Sequence, residues 1–375
     1  MKRTVAESGS PHVRNIRRYY ENSLYPGATL NSVFYDAGTM RDVRYRNARG
    51  DLYPEGKETA VEFHLGAERP ILREGSRCAT VYGESTRELT FDIDLTDYDA
   101  TGLALRYGCP CPSSGKTMCR ECAFLLDGAV AVLNFFATEV FRFGSLLWTY
   151  SGNRGVHLWI NDPIARSLTK SARTTLFEIV DLASSTERLK SNLKDPVSPR
   201  VRFIYESVLE PLFRRRLLDD AGLFESPAGR ATTISILNLV DEELADYFRT
   251  SQEKGNALWN AAKTRARSPT NDVDPCAFLV FRFLYPVMDR NVTVSPHHQV
   301  KQPFSAHAAT GKVELPFDPN GCEPFSFDPD AFPSVADLLA GGGADSFRKG
   351  VDLLKKFGDR SKSNFSICPA ARSDK

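Results

Sequence analysis

The sequence predicts a mixed α/β fold, an α+β mixture in which a sheet core is divided by a long helical insertion. Three observations carry this. Residues 88–95 alternate polar and apolar side chains, the period of a strand. Cys122 to Val140 repeats apolar residues at three and four, the period of a helix. Helical patterning then fills 163 to about 265 before strand-like sequence resumes. With 375 residues, the chain can form one large domain or two ordinary ones. An apolar share of 42 % and a charged share of 25 % are those of a globular protein. The net charge of +1 gives no global basic field, so nucleic-acid binding must come from local patches. No uninterrupted apolar run reaches the ~20 residues of a membrane span, and MKRTVAESGSPHVRN lacks the apolar core of a secretory signal. The expected setting is intracellular and reducing, where eight cysteines are thiols or metal ligands and not disulfides.

The elements follow in order. Residues 12–24 read as a helix carrying Arg14, Arg17, Arg18, Tyr19 and Tyr20; 28–95 read as mainly extended or irregular, with turns at 47–50 and 54–56. In ELTFDIDLTDY, Leu89, Phe91, Ile93 and Leu95 fall on one face of a strand and Glu88, Thr90, Asp92 and Asp94 on the other. Asp92 and Asp94 are then roughly 6.5 Å apart on one side. Like charges so close raise each other's pKa unless a cation lies between them, which suggests a seat for Mg²⁺ or a similar hard ion. A solvent-facing strand that happens to carry Asp is the plain alternative. Next, CPCPSSGKTMCREC gathers Cys109, Cys111, Cys119 and Cys122, enough thiols to enclose one structural Zn²⁺ in residues 107–123. Cys78, Cys276, Cys322 and Cys368 are scattered and read as small buried apolar residues.

After the 122–140 helix, residues 146–160 read as two short strands joined at SGNRG. There Gly152 and Gly155 permit close backbone approach to an anion, and Ser151, Arg154 and His157 can hold a polyphosphate. A hairpin turn with a packed His fits equally well. Residues 161–284 form the predicted helical subdomain, with breaks near 196–199 and 227–229. Arg214 to Arg216 are followed at once by Asp219 and Asp220, the pattern of a solvated helix face. Asp289 lies where a helical stretch ends, and sheet-like sequence is expected after Met288. His297 and His298 read as surface residues. KQPFSAHAATGK supplies Lys301, His307 and Lys312; KVELPFD, 312–318, reads as a strand. Residues 331–375 divide into a glycine hinge at 341–343, a short amphipathic helix over 347–357 and a polar tail expected to be disordered.

FDIDLTDYD, the cysteine cluster, YSGNRGVH, MDRNVTV and K-x-PFS-x-H-x-x-TGK occur in this order over residues 12–320. In this the chain resembles the small catalytic subunit of archaeal and eukaryotic DNA primases, most closely the eukaryotic form. The resemblance implies the archaeo-eukaryotic primase fold: an RRM-like sheet core from 1–160 and 285–330, a helical insertion and a zinc-binding element. It implies primer synthesis: short RNA made on a single-stranded DNA template from NTPs. Asp92, Asp94 and Asp289 would bind two catalytic Mg²⁺ or Mn²⁺ ions. Ser151, Gly152, Asn153, Arg154, Gly155, Val156, His157, Lys301 and His307 would hold the nucleotide, and the four cysteines one zinc. Implied partners are a larger iron–sulfur subunit and, in a eukaryote, replicative DNA polymerase alpha, with a nuclear location and no membrane.

Some positions depart from the family pattern. Asn153 stands where the family has Arg, and His64 in FHLGA replaces an Asp that contacts ribose, which bears on sugar selectivity. Pro110 separates cysteines that are adjacent in the family. For the family's N-terminal Glu, Asp42 in RDV is one match, while Arg44 in VRYR fits a different arginine-bearing segment; both alignments stay open. The alternatives to an active primase subunit are a single-chain primase-polymerase working in damage tolerance, or a non-catalytic zinc-containing template-binding subunit. The first commonly carries Asp-x-Glu and a zinc domain after its core; the second needs a broken acidic triad.

Overall fold

The computed structural model describes residues 14–16, 18–19, 26, 44–46, 62–64, 87–100, 118, 120–266, 272–295, 298, 300–307, 309–320 and 327–365. Asp42, Cys109, Cys111 and Cys119 lie outside the described residues, and so does the zinc element apart from 118 and 120–123, which include buried Cys122. Strands β1 (Arg44–Arg46) and β2 (Glu62–His64) form an antiparallel pair with Arg44 opposite His64. The main sheet contains β3 (Leu89–Asp94), β4 (Leu146–Tyr150), β5 (Gly155–Ile160) and β6 (Leu315–Phe317), all antiparallel, in the order β3-β5-β4-β6.

The strand alternation read from ELTFDID is present. Leu89, Phe91 and Ile93 lie opposite Ile160, Leu158 and Val156 and enter the core. Helix α1 (Leu95–Ala100) follows β3 directly, and α2 (Arg120–Phe135) reaches the sheet through the Trp148 indole, which donates to Asn134 Oδ1 at 2.8 Å. The stretch Cys122–Val140 is long and apolar enough to cross a membrane, but 67 % of it is buried inside the fold, as befits a core helix. It loosens after Phe135 into a single wider turn, Phe136–Val140.

The opposite face of the sheet was expected to be polar. Glu88 and Thr90 on it are nevertheless buried, so this face opens only at Asp92 and Asp94.

Helices follow one another from Pro163 to Leu284: α3 (Pro163–Arg166), α4 (Lys170–Val180), α5 (Thr186–Leu193), α6 (Pro199–Phe203), α7 (Glu210–Leu212), α8 (Pro227–Leu237), α9 (Glu242–Thr250), α10 (Gly255–Arg265) and α11 (Pro275–Leu284), with wider-turn segments at Ile204–Leu209 and Phe213–Asp220. Pro199 and Pro227 mark helix starts. Ser198 and Ser226 accept an amide hydrogen bond just ahead of them, and proline fits the first turn, where its missing N–H costs nothing. Trp259, Phe213, Phe224 and Phe248 pack ring against ring to make the centre of this helical stretch.

After Met288 the chain does not return at once to strand. Asp289 caps helix α12 (Arg290–Val294), which packs on β3, and only Leu315–Phe317 of the predicted 312–318 strand joins the sheet. An Asp followed by two polar residues favours a capped helix start over an isolated edge strand. Helix α13 (Val335–Leu339) precedes α14, which runs Ala344–Phe365 and so extends past the predicted end at 357. α14 lies against β6 and β4.

Candidate active site

β3 ends with Asp92 and Asp94 half-exposed, and antiparallel pairing sets them opposite His157 and Gly155 of β5. Asp94 turns the chain into α1, its Oδ1 accepting the Thr96 N–H at 2.8 Å. Asp289 arrives from far along the sequence. Its backbone N–H donates to the Asp92 carbonyl at 3.0 Å, and its own Oδ1 accepts from Asn291 N at 2.7 Å. The start of α12 is therefore fastened to the end of β3 by main chain, which brings the third acid to the first two.

Electrostatics agree with that convergence. Asp97, on α1, is pushed up to about 6, by burial first and then by the charges of Asp94, Asp92 and Asp289. Asp97 is a fourth acid that the sequence reading gave no role. Among the described residues no three His, Cys, Asp or Glu side chains are drawn into a ready metal cage. Uncompensated carboxylates repel one another, and a hard cation takes part of its coordination from water and phosphate. The donor chemistry fits such an ion: oxygen only, on rigid ends of secondary structure, with a charge excess that a divalent cation relieves.

Burial acts to raise Asp92, but the charge and hydrogen bond of His157, with Lys301 and His298 beyond it, hold it below the ordinary carboxylate range. His298 is exposed, as the sequence reading has it, and its charge still reaches this carboxylate. His157 is enclosed. Its Nδ1 is 2.9 Å from Glu314 Oε1 and its Nε2 is 3.4 Å from Asp92 Oδ1. Burial alone would lower its pKa, but Glu314 and Asp92 outweigh that and raise it to about 10. Both ring nitrogens thus face carboxylates. Glu314 was missed by sequence reading, because KVELPFD gives no sign that its first acid is fully buried.

Residues 151–154 close the β4–β5 turn beside these acids. Ser151 N–H donates to Gly155 O at 2.9 Å, and Gly155 N–H donates back to Ser151 Oγ at 3.1 Å. Gly152 has φ +80°, and a Cβ there would meet Lys312 O at 2.9 Å, so glycine is required. The Thr310 hydroxyl donates to Gly152 O at 2.6 Å and Tyr150 OH to Asn153 O at 2.7 Å, fixing the turn from two sides. Arg154 is buried within it, and Lys301 Nζ donates to Ser151 O at 3.1 Å. His307 Nδ1 accepts from the Ala309 and Thr310 amides, each at 3.3 Å, which leaves the ring proton on Nε2. The structure therefore brings together Ser151, Gly152, Asn153, Arg154, Lys301 and His307. Val156 instead sends its side chain into the apolar core opposite Ile93, and the Lys312 ammonium turns away to the carbonyls of Pro329 and Phe332.

The arrangement sets an acidic strand end beside a cationic, glycine-bearing turn, the pairing a metal-dependent enzyme acting on phosphates requires. The sequence profile of the family described as DNA primase small subunit matches residues 91–319, from within β3 to beyond β6. Proteins named DNA primase small subunit are similar to the chain, among them those of a fly and two yeasts. The Drosophila melanogaster protein is 31 % identical over 303 residues, 74 % of this chain and 62 % of its own length. The Saccharomyces cerevisiae protein is 32 % identical over 270 residues, 67 % and 62 %. The Schizosaccharomyces pombe protein is 31 % identical over 269 residues, 68 % and 56 %. The chain thus spans under two thirds of the length of these relatives. As the matched residues include the whole acidic strand end, the basic turn and the segment from Asp289 to Glu314, this chain belongs to the DNA primase small subunit family.

Proposed function

We propose that this chain is a catalytic primase subunit, a nucleotidyltransferase that makes short RNA primers on single-stranded DNA from NTPs. The observation that carries the reading is the Asp289 N–H bonded to Asp92 O, which sets Asp289 beside Asp92 and Asp94 next to the 151–154 turn. Asp92, Asp94 and Asp289 would hold Mg²⁺ or Mn²⁺. When bound, such ions lower the pKa of an attacking hydroxyl and neutralise charge on a triphosphate and its leaving pyrophosphate. The chain's own residues position and compensate charge. Arg154 offers planar two-point contact to phosphate oxygens, and Lys301 is anchored on the same turn by Ser151 O. Ser151 and the His307 Nε2–H add neutral donors. Most of the rate enhancement in such a site comes from orientation and preorganised charge, so the carboxylates act as ligands and not as bases. A larger iron–sulfur subunit and a replicative polymerase belong to this reading as partners. So does one structural zinc on Cys109, Cys111, Cys119 and Cys122.

The test is template-directed synthesis on poly-dT with labelled ATP, comparing the lone chain with the chain reconstituted with its larger partner. Asp92→Ala and Asp94→Ala are each expected to abolish dinucleotide formation while the circular dichroism spectrum stays that of the wild type. Near-normal synthesis by either variant defeats the two-ion scheme.

A further inference from the structure

We propose that Glu314 is a positioning residue for the active-site carboxylate Asp92, acting through His157, which it holds edge-on between the two acids. The proposal rests on the reading of Asp92 as a metal ligand and gives that site a supporting layer. Glu314 is wholly buried, and its Oε2 has no hydrogen-bond partner among the described residues. Burying a half-satisfied carboxylate is costly. Its other oxygen is fully used. Oε1 accepts from Thr149 Oγ1 at 2.8 Å and lies 2.9 Å from His157 Nδ1.

The direction of each bond is fixed. The Trp159 indole can only donate, and it donates to Thr149 Oγ1 at 3.3 Å; the Thr149 proton is therefore free to point at Glu314. With Thr149 and His157 both donating into Oε1, the imidazole is locked in orientation and presents Nε2 to Asp92. The strand register makes this possible. Asp92, His157 and Thr149 lie directly opposite one another across β3, β5 and β4, on one face of the sheet. Outer partners of this kind orient ligands and tune metal affinity. His157 so held supports Asp92.

The test uses the full chain as wild type, Glu314→Leu and Glu314→Gln. Mn²⁺ affinity is read by electron paramagnetic resonance without nucleotide, and kcat and NTP KM by primer synthesis. Glu314→Leu removes the acceptor and is expected to weaken Mn²⁺ binding about 10- to 100-fold and to lower kcat, with NTP KM within about twofold of wild type. Glu314→Gln keeps the shape and one acceptor and is expected to lose about three- to tenfold, a partial rescue that keeps the test alive should the Leu variant fail to fold. The proposal is overturned if the Gln variant binds Mn²⁺ as the wild type does, or if the loss falls in NTP KM alone. A wild type that neither binds Mn²⁺ nor copies a template overturns the functional reading itself; an active wild type with unaffected variants overturns only the role of Glu314.

Discussion

Two side chains matter at the acidic end of the sheet, where β3 meets β5. One is the hydrogen atom of Gly155: a Cβ there would stand 2.3 Å from Ile93 O, a distance no methyl group tolerates. Gly155→Ala is therefore expected to push the strands apart beside Asp94 and to cost about 1–3 kcal/mol, read as a lower denaturation midpoint with unchanged m. The other is Arg154, buried in the turn but set one residue from that glycine. Arg154→Ala is expected to raise the nucleotide KM about tenfold or more with a smaller change in kcat, since it removes charge-assisted contacts made before and during transfer. An unchanged KM takes Arg154 out of the phosphate site. At this scale Asp92 and Asp94 were legible, because period-two alternation alone assigns them a face. Asp289, Lys301 and His307 were legible only through their resemblance to known motifs; no local rule brings residues so distant in sequence to one strand end. Glu314 and Asp97 were not legible at all, since a sequence does not tell which neighbour will cover an acid.

Helix α2 shows what an element adds. Its apolar period was plain in the sequence, but Asp127 on its buried side was not explained by it. In the structure Asp127 Oδ1 accepts the Phe327 N–H at 2.8 Å, tying the helix to the segment that packs Phe327 and Phe332 on Tyr150. Burial raises Asp127 to about 6, with that hydrogen bond and the charges of Arg216 and Arg215 acting the other way. The folded-state value thus lies above the unfolded one. Between pH 4 and 6 the folded chain keeps a proton that the unfolded chain has released, so this stabilisation is full at low pH and fades as pH rises through 6. The stability of wild type relative to Asp127→Asn is expected to fall by about 3 kcal/mol from pH 4 to 7, measured by urea unfolding at each pH. A flat difference would mean that Arg216 keeps Asp127 ionised throughout. The element boundaries that the sequence misjudged share a cause. Capping and tertiary support, not hydrophobic period, decide where a helix begins at Asp289 and how far α14 continues.

Across the whole molecule, the site depends on a helix that touches none of its acids. α14 lays Leu354 and Phe357 into the core, and the Phe357 carbonyl accepts the Ser145 hydroxyl at 3.0 Å. Its Phe347 meets Phe304 edge-on at 5.2 Å and Tyr19 at 6.4 Å. Phe304 lies between Lys301 and His307, in the left-handed region at φ 69°. A bulky residue there costs about 1–3 kcal/mol and persists only if its surroundings impose it. Those surroundings are Tyr19, whose hydroxyl donates to Phe304 O at 3.0 Å, Glu314, whose carbonyl accepts from Phe304 N at 2.6 Å, and Phe347. The C-terminal helix therefore holds in place the strained corner from which Lys301, His307 and Glu314 reach the site. Phe347→Ala is expected to destabilise the fold by about 3–5 kcal/mol, the range for truncating a buried Phe, and to raise nucleotide KM several-fold in the fraction that stays folded. Steady-state kinetics well below the melting temperature separate the two effects. If stability drops while KM holds, Tyr19 and Glu314 suffice to impose the corner, and α14 braces the sheet alone.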